Sequence, residues 1–261
     1  MMEDSLLRSD GRKFNEIRPI SFQRHFTRYA EGAVLACFGD TKVICTASVE
    51  DRVPPFLRGS GQGWISAEYA MLPRATAERS SRMTSKGTIS GRSHEIQRLI
   101  GRSLRASADL SLLGERTIWL DCDVIQADGG TRTAAISGAF VALFDAMRYL
   151  KAQNVIEKIP VKSFVAAVSV GKIEGSLLLD LCYEEDSRAD VDCNVVMNGD
   201  KQLIEIQGTG ERGTFARDEF DAMLDLAEDG IQTIMFSQAA VLQISEEERH
   251  ACVGKICSFC K

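Results

Sequence analysis

The sequence predicts an α+β fold in which mixed sheets are covered by helices. Three observations predict it. Apolar side chains alternate two by two over residues 20–50 and again through much of 160–210, the period of half-buried strands. Helical spacing takes over from His94, again after Thr131, and again around Phe220. Finally, 261 residues with 44% apolar side chains, five prolines and no low-complexity stretch suffice for one sizeable core without a marked linker.

The elements follow in order. In "EGAVLACFGDTKVICTASVE", Val34, Ala36 and Phe38 share one face, Gly39-Asp40 turns, and Val43, Cys45 and Ala47 continue a second strand. Residues 51–92 are irregular and polar and read as one long loop, a length that is usually functional or disordered. From His94, the residues Ile96, Leu99, Ile100, Leu104 and Ala108 mark an amphipathic helix, with Arg98, Arg102 and Arg105 as a basic stripe upon it. "RTIWLDCDVIQ" is a strand with Ile118, Leu120, Cys122 and Val124 on one face. After "ADGGTRT" a strong helix runs to about Leu150, with Ile136, Phe140, Leu143, Phe144 and Met147 on its apolar face. "KSFVAAVSVGKIEG" pairs with "SLLLDLCYEED" through Ile173-Glu174-Gly175, and "NVVMNGDKQLIEIQGTG" folds back across Asn198-Gly199. A last helix with Phe220, Met223, Leu224 and Ala227 inward ends near Gly230. The second half echoes the order of the first, which hints at an internal duplication.

Charge and cysteines bound the function. A net charge of −6 gives no global attraction to nucleic acid, so a polyanion site needs a local cluster of arginines. The charged N-terminus carries no signal-peptide core, and no apolar run reaches the roughly 18 residues of a membrane span. The expectation is a cytoplasmic protein with no membrane partner, whose eight cysteines are reduced. Cys37, Cys45, Cys122, Cys182 and Cys193 read as small buried apolar residues. Cys252, Cys257 and Cys260 follow His250 in a tail whose spacing is not a usual zinc pattern. The domain expectation is one unit over 1–243 and a cysteine-containing tail over 244–261.

Three stretches carry chemistry. In "ADGGTRTAA", Gly129 and Gly130 allow close backbone approach, and the helix that follows offers free N–H groups with partial positive charge. Thr131 and Thr133 add hydroxyls, and Arg132 adds a planar fork suited to phosphate oxygens. The competing reading is a threonine-capped helix with a surface arginine. In "YEEDSRADVDCN", Asp186, Asp190 and Asp192 lie at even spacing, which on an extended chain puts them on one side. They read either as a divalent-cation or acid–base site, or as a solvated acidic loop. In "SGRSHEIQRLIGRSLR", Arg92 precedes the helix of Arg98, Arg102 and Arg105. With Arg74, Arg79 and Arg82 upstream they form a basic patch suited to a polyanion. No aromatic-rich stacking platform is evident.

Taken with "DGR" at 10–12, "GDTKVICTASVE", "GWISAEYAMLPRAT" and "IEIQGTGE", these stretches resemble the bacterial RNase PH family of phosphate-dependent 3′-exoribonucleases, over residues 10 to about 240. The resemblance implies a duplicated β-α fold and a homo-hexameric ring built as a trimer of dimers. It implies phosphate held by Arg92, Gly130, Thr131 and Arg132, and catalysis by Asp186 and Asp192 with magnesium (or manganese) as their ion. It ties Arg74, Arg79 and Arg82 to ring assembly and RNA capture, to which the basic stripe of Arg98, Arg102 and Arg105 adds expected RNA contacts, and precursor tRNA and other RNA 3′ ends are the implied substrates. "GTGERGTF" departs from the family's usual run, which leaves the surroundings of Gly210 to Gly213 open. The alternative is a non-catalytic ring subunit acting as an RNA-binding scaffold.

Overall fold

The structure, a computed structural model, describes residues 8–82 and 90–252. Its first sheet is built from β1 (Ile20–Arg24), β2 (Gly32–Phe38), β3 (Thr41–Glu50), β4 (Trp64–Met71) and β5 (Thr117–Gln126) in the order β1-β2-β3-β5-β4. All its pairs are antiparallel except β4 with β5. The predicted turn is found: Phe38 pairs with Thr41, and Gly39 at φ 55° takes the left-handed position. The second sheet has the order β7-β6-β8-β9, with β6 (Val165–Ile173), β7 (Ser176–Leu179), β8 (Val191–Asn198) and β9 (Leu203–Gly210), all antiparallel.

Helix α2 (Thr131–Ala152) packs against β2, β3 and β5 on one side and β6 on the other. This placement explains why its whole circumference is buried, not only the predicted face of Ile136, Phe140 and Met147. Close approach to the first sheet needs Gly138, where a Cβ would lie 2.7 Å from Ala36 Cβ and 2.9 Å from Cys45 Sγ. α2 is the one described helix long and apolar enough to cross a membrane, and 89% of that window is buried inside the fold. Cys45 and Cys122 face one another across β3 and β5 as free, buried thiols.

Three expectations need correction. Residues 51–92 are not one loop: they contain β4, whose Ile65, Ala67 and Tyr69 are buried under α1 (Gly91–Ala106). Helix α1 begins at Gly91 with Ser90 as its cap, so Arg92 lies within its first turn rather than before it. The last long helix, α4 (Arg217–Leu242), does not stop near Gly230. Gly230 sits in its middle because Leu179 packs there, where a Cβ would come within 2.9 Å of Leu179 Cδ1. Beyond it, Ile231, Ile234, Met235 and Leu242 continue the buried face.

After α4 the chain forms α5 (Glu246–Ala251), capped by Ser245 with Glu248. Arg148 of α2 pairs with Glu248, and Cys252 is buried beside Ile159. Cys257 and Cys260 lie outside the described residues. Among the described residues no cluster of three or more His, Cys, Asp or Glu is arranged to hold a metal.

Candidate active site

The loop Asp128-Gly129-Gly130 carries the chain from β5 into α2. Gly129 and Gly130 both adopt left-handed φ, 72° and 61°. Gly130 is the N-cap residue and no side chain caps the helix. The threonine-capped reading therefore fails, and the first N–H groups of α2 stay free of side-chain acceptors. The loop is held from behind. Thr41 donates its hydroxyl to Gly129 O at 2.6 Å and accepts from Asp128 N at 2.9 Å. The buried Arg18 guanidinium donates to Asp128 O and pairs with Asp180 Oδ1 at 2.7 Å. Thr131 Oγ1 is 2.8 Å from the hydroxyl of Tyr69. Thr133 is no ligand donor, contrary to expectation: its hydroxyl donates back to Gly130 O at 2.8 Å.

The acidic stretch is not extended. Asp186 ends a single helical turn, α3 (Tyr183–Asp186), while Asp192 lies on β8. Even spacing therefore does not put Asp186, Asp190 and Asp192 on one side of a strand. The fold nevertheless brings Asp186 and Asp192 onto one cavity of about 940 Å³, while Asp190 lies off its wall. α3 is anchored by Glu185, buried with Arg8, whose Nε donates to Glu185 Oε1 at 2.6 Å. Arg8 also donates to Leu179 O at 2.7 Å and Asp180 O at 3.0 Å. Gly129 permits the contact between the two site segments: a Cβ there would lie 2.5 Å from Leu181 O.

Burial, and next the charge of Asp186, push the Asp192 carboxyl up to about 6, against the pull of Arg132 and the Asn194 hydrogen bond. Asp186 is also raised, by desolvation, with Arg92 and Arg132 opposing. Asp192 Oδ2 accepts from Asn194 Nδ2 at 3.1 Å, whereas its buried Oδ1 has no hydrogen-bond partner. An orphaned carboxylate oxygen is costly unless something binds it.

The same cavity is lined by Arg92, Gly130, Thr131 and Arg132, so all six predicted phosphate and acid residues meet. Arg132 Nη1 donates to Gln207 Oε1 at 2.6 Å and lies 3.3 Å from Glu95. The six arginines expected to contact RNA do not line the cavity. Arg74 and Arg79 are exposed on a loop whose Thr76 and Glu78 form part of its wall, and Arg82 is exposed further along. On α1, Arg98 is exposed, and Arg102 pairs with Glu205 at 3.0 Å. Arg105 is committed to the fold, donating to Ile65 O at 2.8 Å with its guanidinium 4.3 Å from the Trp64 ring centroid.

Several site residues escaped the sequence reading. Asn194 had a signal, lying two residues from Asp192 on the same strand face. Glu211 and Arg212 belong to "GTGERGTF": Gly210 packs against Gly213 O in a tight turn, and Arg212 donates to Ser187 O at 2.7 Å. Arg18 and Asp180 are 162 positions apart and gave no local signal.

Residues 16–148 match the 3′ exoribonuclease family, domain 1, and residues 163–230 match its domain 2. The chain is 60% identical to ribonuclease PH of Bacillus velezensis over 238 residues, covering 90% of this chain and 97% of that protein. Identity to ribonuclease PH of Moorella thermoacetica is 56% over 237 residues, 91% of this chain and 95% of that one. Among solved structures, rice Rrp46 superposes with a TM-score of 0.73 at 20% identity, covering 90% of this chain and all of that one. The Archaeoglobus fulgidus exosome with RNA bound to the active site gives 0.75 at 22%, covering 87% and 91%; at such identities these two establish the fold alone. With both halves matched and more than half the residues shared with bacterial ribonuclease PH proteins along nine-tenths of its length, the chain belongs to the 3′ exoribonuclease family.

Proposed function

We propose that this chain, a phosphate-dependent 3′-exoribonuclease, performs its reaction at the cavity between the α2 N-terminus and the Asp186–Asp192 pair. Inorganic phosphate is the co-substrate, held by Arg92, Arg132, Thr131 and the free N–H groups that follow Gly130. One phosphate oxygen attacks the phosphorus of the last phosphodiester. The P–O3′ bond breaks, a nucleoside diphosphate leaves, and the RNA is one nucleotide shorter. The reverse step adds a nucleotide. Such transfer needs positioning and charge neutralisation above all.

Arg92 and Arg132 neutralise the incoming phosphate. Asp192, raised to about 6, is fit to carry a proton near neutrality for the departing O3′. The orphaned Asp192 Oδ1, with Asp186 on the same wall, also suits a hard divalent cation such as Mg²⁺ or Mn²⁺, which takes one or two carboxylates beside substrate oxygens. When bound, that ion would stabilise negative charge on the phosphoryl oxygens. RNA would approach over Arg74, Arg79, Arg82 and Arg98. Precursor tRNA 3′ ends, a homo-hexameric ring and a cytoplasmic setting complete the reading.

One observation carries it: an uncapped helix N-terminus, two guanidinium groups and an orphaned carboxylate oxygen share one cavity. The test uses purified protein, Mg²⁺ and a tRNA with extra 3′ nucleotides, with and without inorganic phosphate. Nucleoside diphosphates are expected only with phosphate, and not from Asp186→Asn. Monophosphates formed without phosphate would give the anion site another ligand. RNA bound without shortening would favour the scaffold reading.

A further inference from the structure

We propose that Tyr183 is the stacking platform for the base of the nucleotide being removed, an inference that rests on the reaction site argued above. Tyr183 opens α3, lines the cavity and is 65% exposed. Among the described residues it is the only aromatic side chain on that wall, and its hydroxyl has no hydrogen-bond partner. Its backbone, by contrast, is fixed. Tyr183 N donates to Asp128 Oδ1 at 3.2 Å, and Glu185 two residues on is clamped by Arg8. A free ring on a fixed turn is a preorganised surface with no internal partner.

Its place matches the chemistry. Tyr183 and Asp186 are three residues apart on one helical turn, hence side-chain neighbours. Tyr183 N lies against the loop itself, bonded to Asp128 and 2.9 Å from where a Cβ on Gly129 would sit, one residue before the Gly130 cap of α2 at which the attacking phosphate is proposed to bind. The nucleoside on that side is the one that becomes joined to phosphate and departs as diphosphate. An exonuclease must accept whichever base is terminal. A ring face does so, since every base has a π-face, whereas edge hydrogen bonds would select.

The test is the reverse reaction, with ADP and CDP as substrates and Tyr183→Leu and Tyr183→Phe as variants. Tyr183→Leu is expected to raise KM for both diphosphates about tenfold, the loss of one base–aromatic stack, with KM for phosphate in the forward direction unchanged. Any advantage of ADP over CDP in the wild type should shrink in that variant, and Tyr183→Phe should behave as wild type. Calorimetric binding of ADP to Asp186→Asn, with and without Tyr183→Leu, separates this inference from the chemistry assigned to Asp186. Weaker ADP binding in the double variant supports the platform whether or not Asp186 is catalytic. Unchanged diphosphate KM in Tyr183→Leu, equal damage from Phe and Leu, or a higher KM for RNA alone would each overturn it.

Discussion

At Gly129 a single methyl group decides whether the two halves of the site can meet. A Cβ there would lie 2.5 Å from Leu181 O, 2.7 Å from Cys182 C and 2.9 Å from Tyr183 N, on backbone already at φ 72°. All three are main-chain atoms, so relief requires α3 to move away from the Asp128-Gly129-Gly130 loop. Gly129→Ala should cost about 1–3 kcal/mol of stability through the strained φ. It should lower kcat by about a hundredfold through displacement of Asp186, since misplacement by 1 Å has that effect. A melting curve and steady-state rates check the two parts separately; normal turnover would mean that α3 and the loop need not touch. The role proposed for Arg132 is in binding instead. Its guanidinium is aimed by Gln207 at 2.6 Å, and a charge-assisted bond is worth about 1.5–3 kcal/mol. Arg132→Ala should therefore raise KM for phosphate at least tenfold with the fold intact, and Gln207→Ala should do so to a smaller degree. An unchanged phosphate KM in Arg132→Ala would remove it from the anion site.

Among the elements, α3 and α5 are both short helices held by ion pairs, but at different depths. Arg8 and Glu185 are buried, and removing one partner of such a pair costs about 3–5 kcal/mol where no other group compensates the charge; here Arg12 Nη2, 3.6 Å from Glu185 Oε2, keeps part of it paired. Arg8→Ala should therefore lose part of that, and also slow turnover, because Asp186 is the residue after Glu185. Retained stability on thermal melting would show that the pair does not anchor α3. The α5 latch is shallower and should respond to pH. Burial opposes the charge on Glu248, but Arg148, the Ser245 N–H and the Ser245 hydroxyl outweigh it and hold the carboxyl below its ordinary 4.5. A depressed carboxylate contributes stability that is present above 4.5 and lost as pH falls through the folded value. Hydrogen exchange in α5 should thus stay protected at neutral pH and accelerate, relative to α4, on acidification below 4.5. Glu248→Gln should show the weaker protection already at pH 7.

Across the whole molecule, what the sequence made legible is what neighbours in the chain decide. The β2–β3 hairpin, the strand before "ADGGTRT" and the buried face of α2 follow from period and turn chemistry, whereas the helix N-terminus after two glycines stayed open between a free and a threonine-capped reading. What it hid depends on distant partners. Gly230 reads as a helix end until Leu179 is seen against it, and β4 reads as loop until α1 covers it. The meeting of Asp186 with Asp192 depends on Arg8 and Arg18 and on Asp180, more than 160 residues further along the chain. The same long-range pairings bear on cooperativity. One continuous apolar core runs from Phe22 and Val34 through Phe140 and Phe144 to Val195 and Ile234. Gln238 on α4 donates to Ser137 O of α2 at 2.9 Å and to Val165 O of β6 at 3.0 Å, and α2 is shared by both sheets. Neither half can then lose its structure without baring the other's share of α2. Calorimetry is expected to give a single transition over the described fold, with calorimetric and van't Hoff enthalpies equal for the unfolding unit. Phe140→Ala, at the centre of the shared core, should lower that one transition by about 3–5 kcal/mol without splitting it. Two resolved transitions, or a variant that melts one sheet first, would mean that the sequence stretches matched as domains 1 and 2 fold independently and only pack together afterwards.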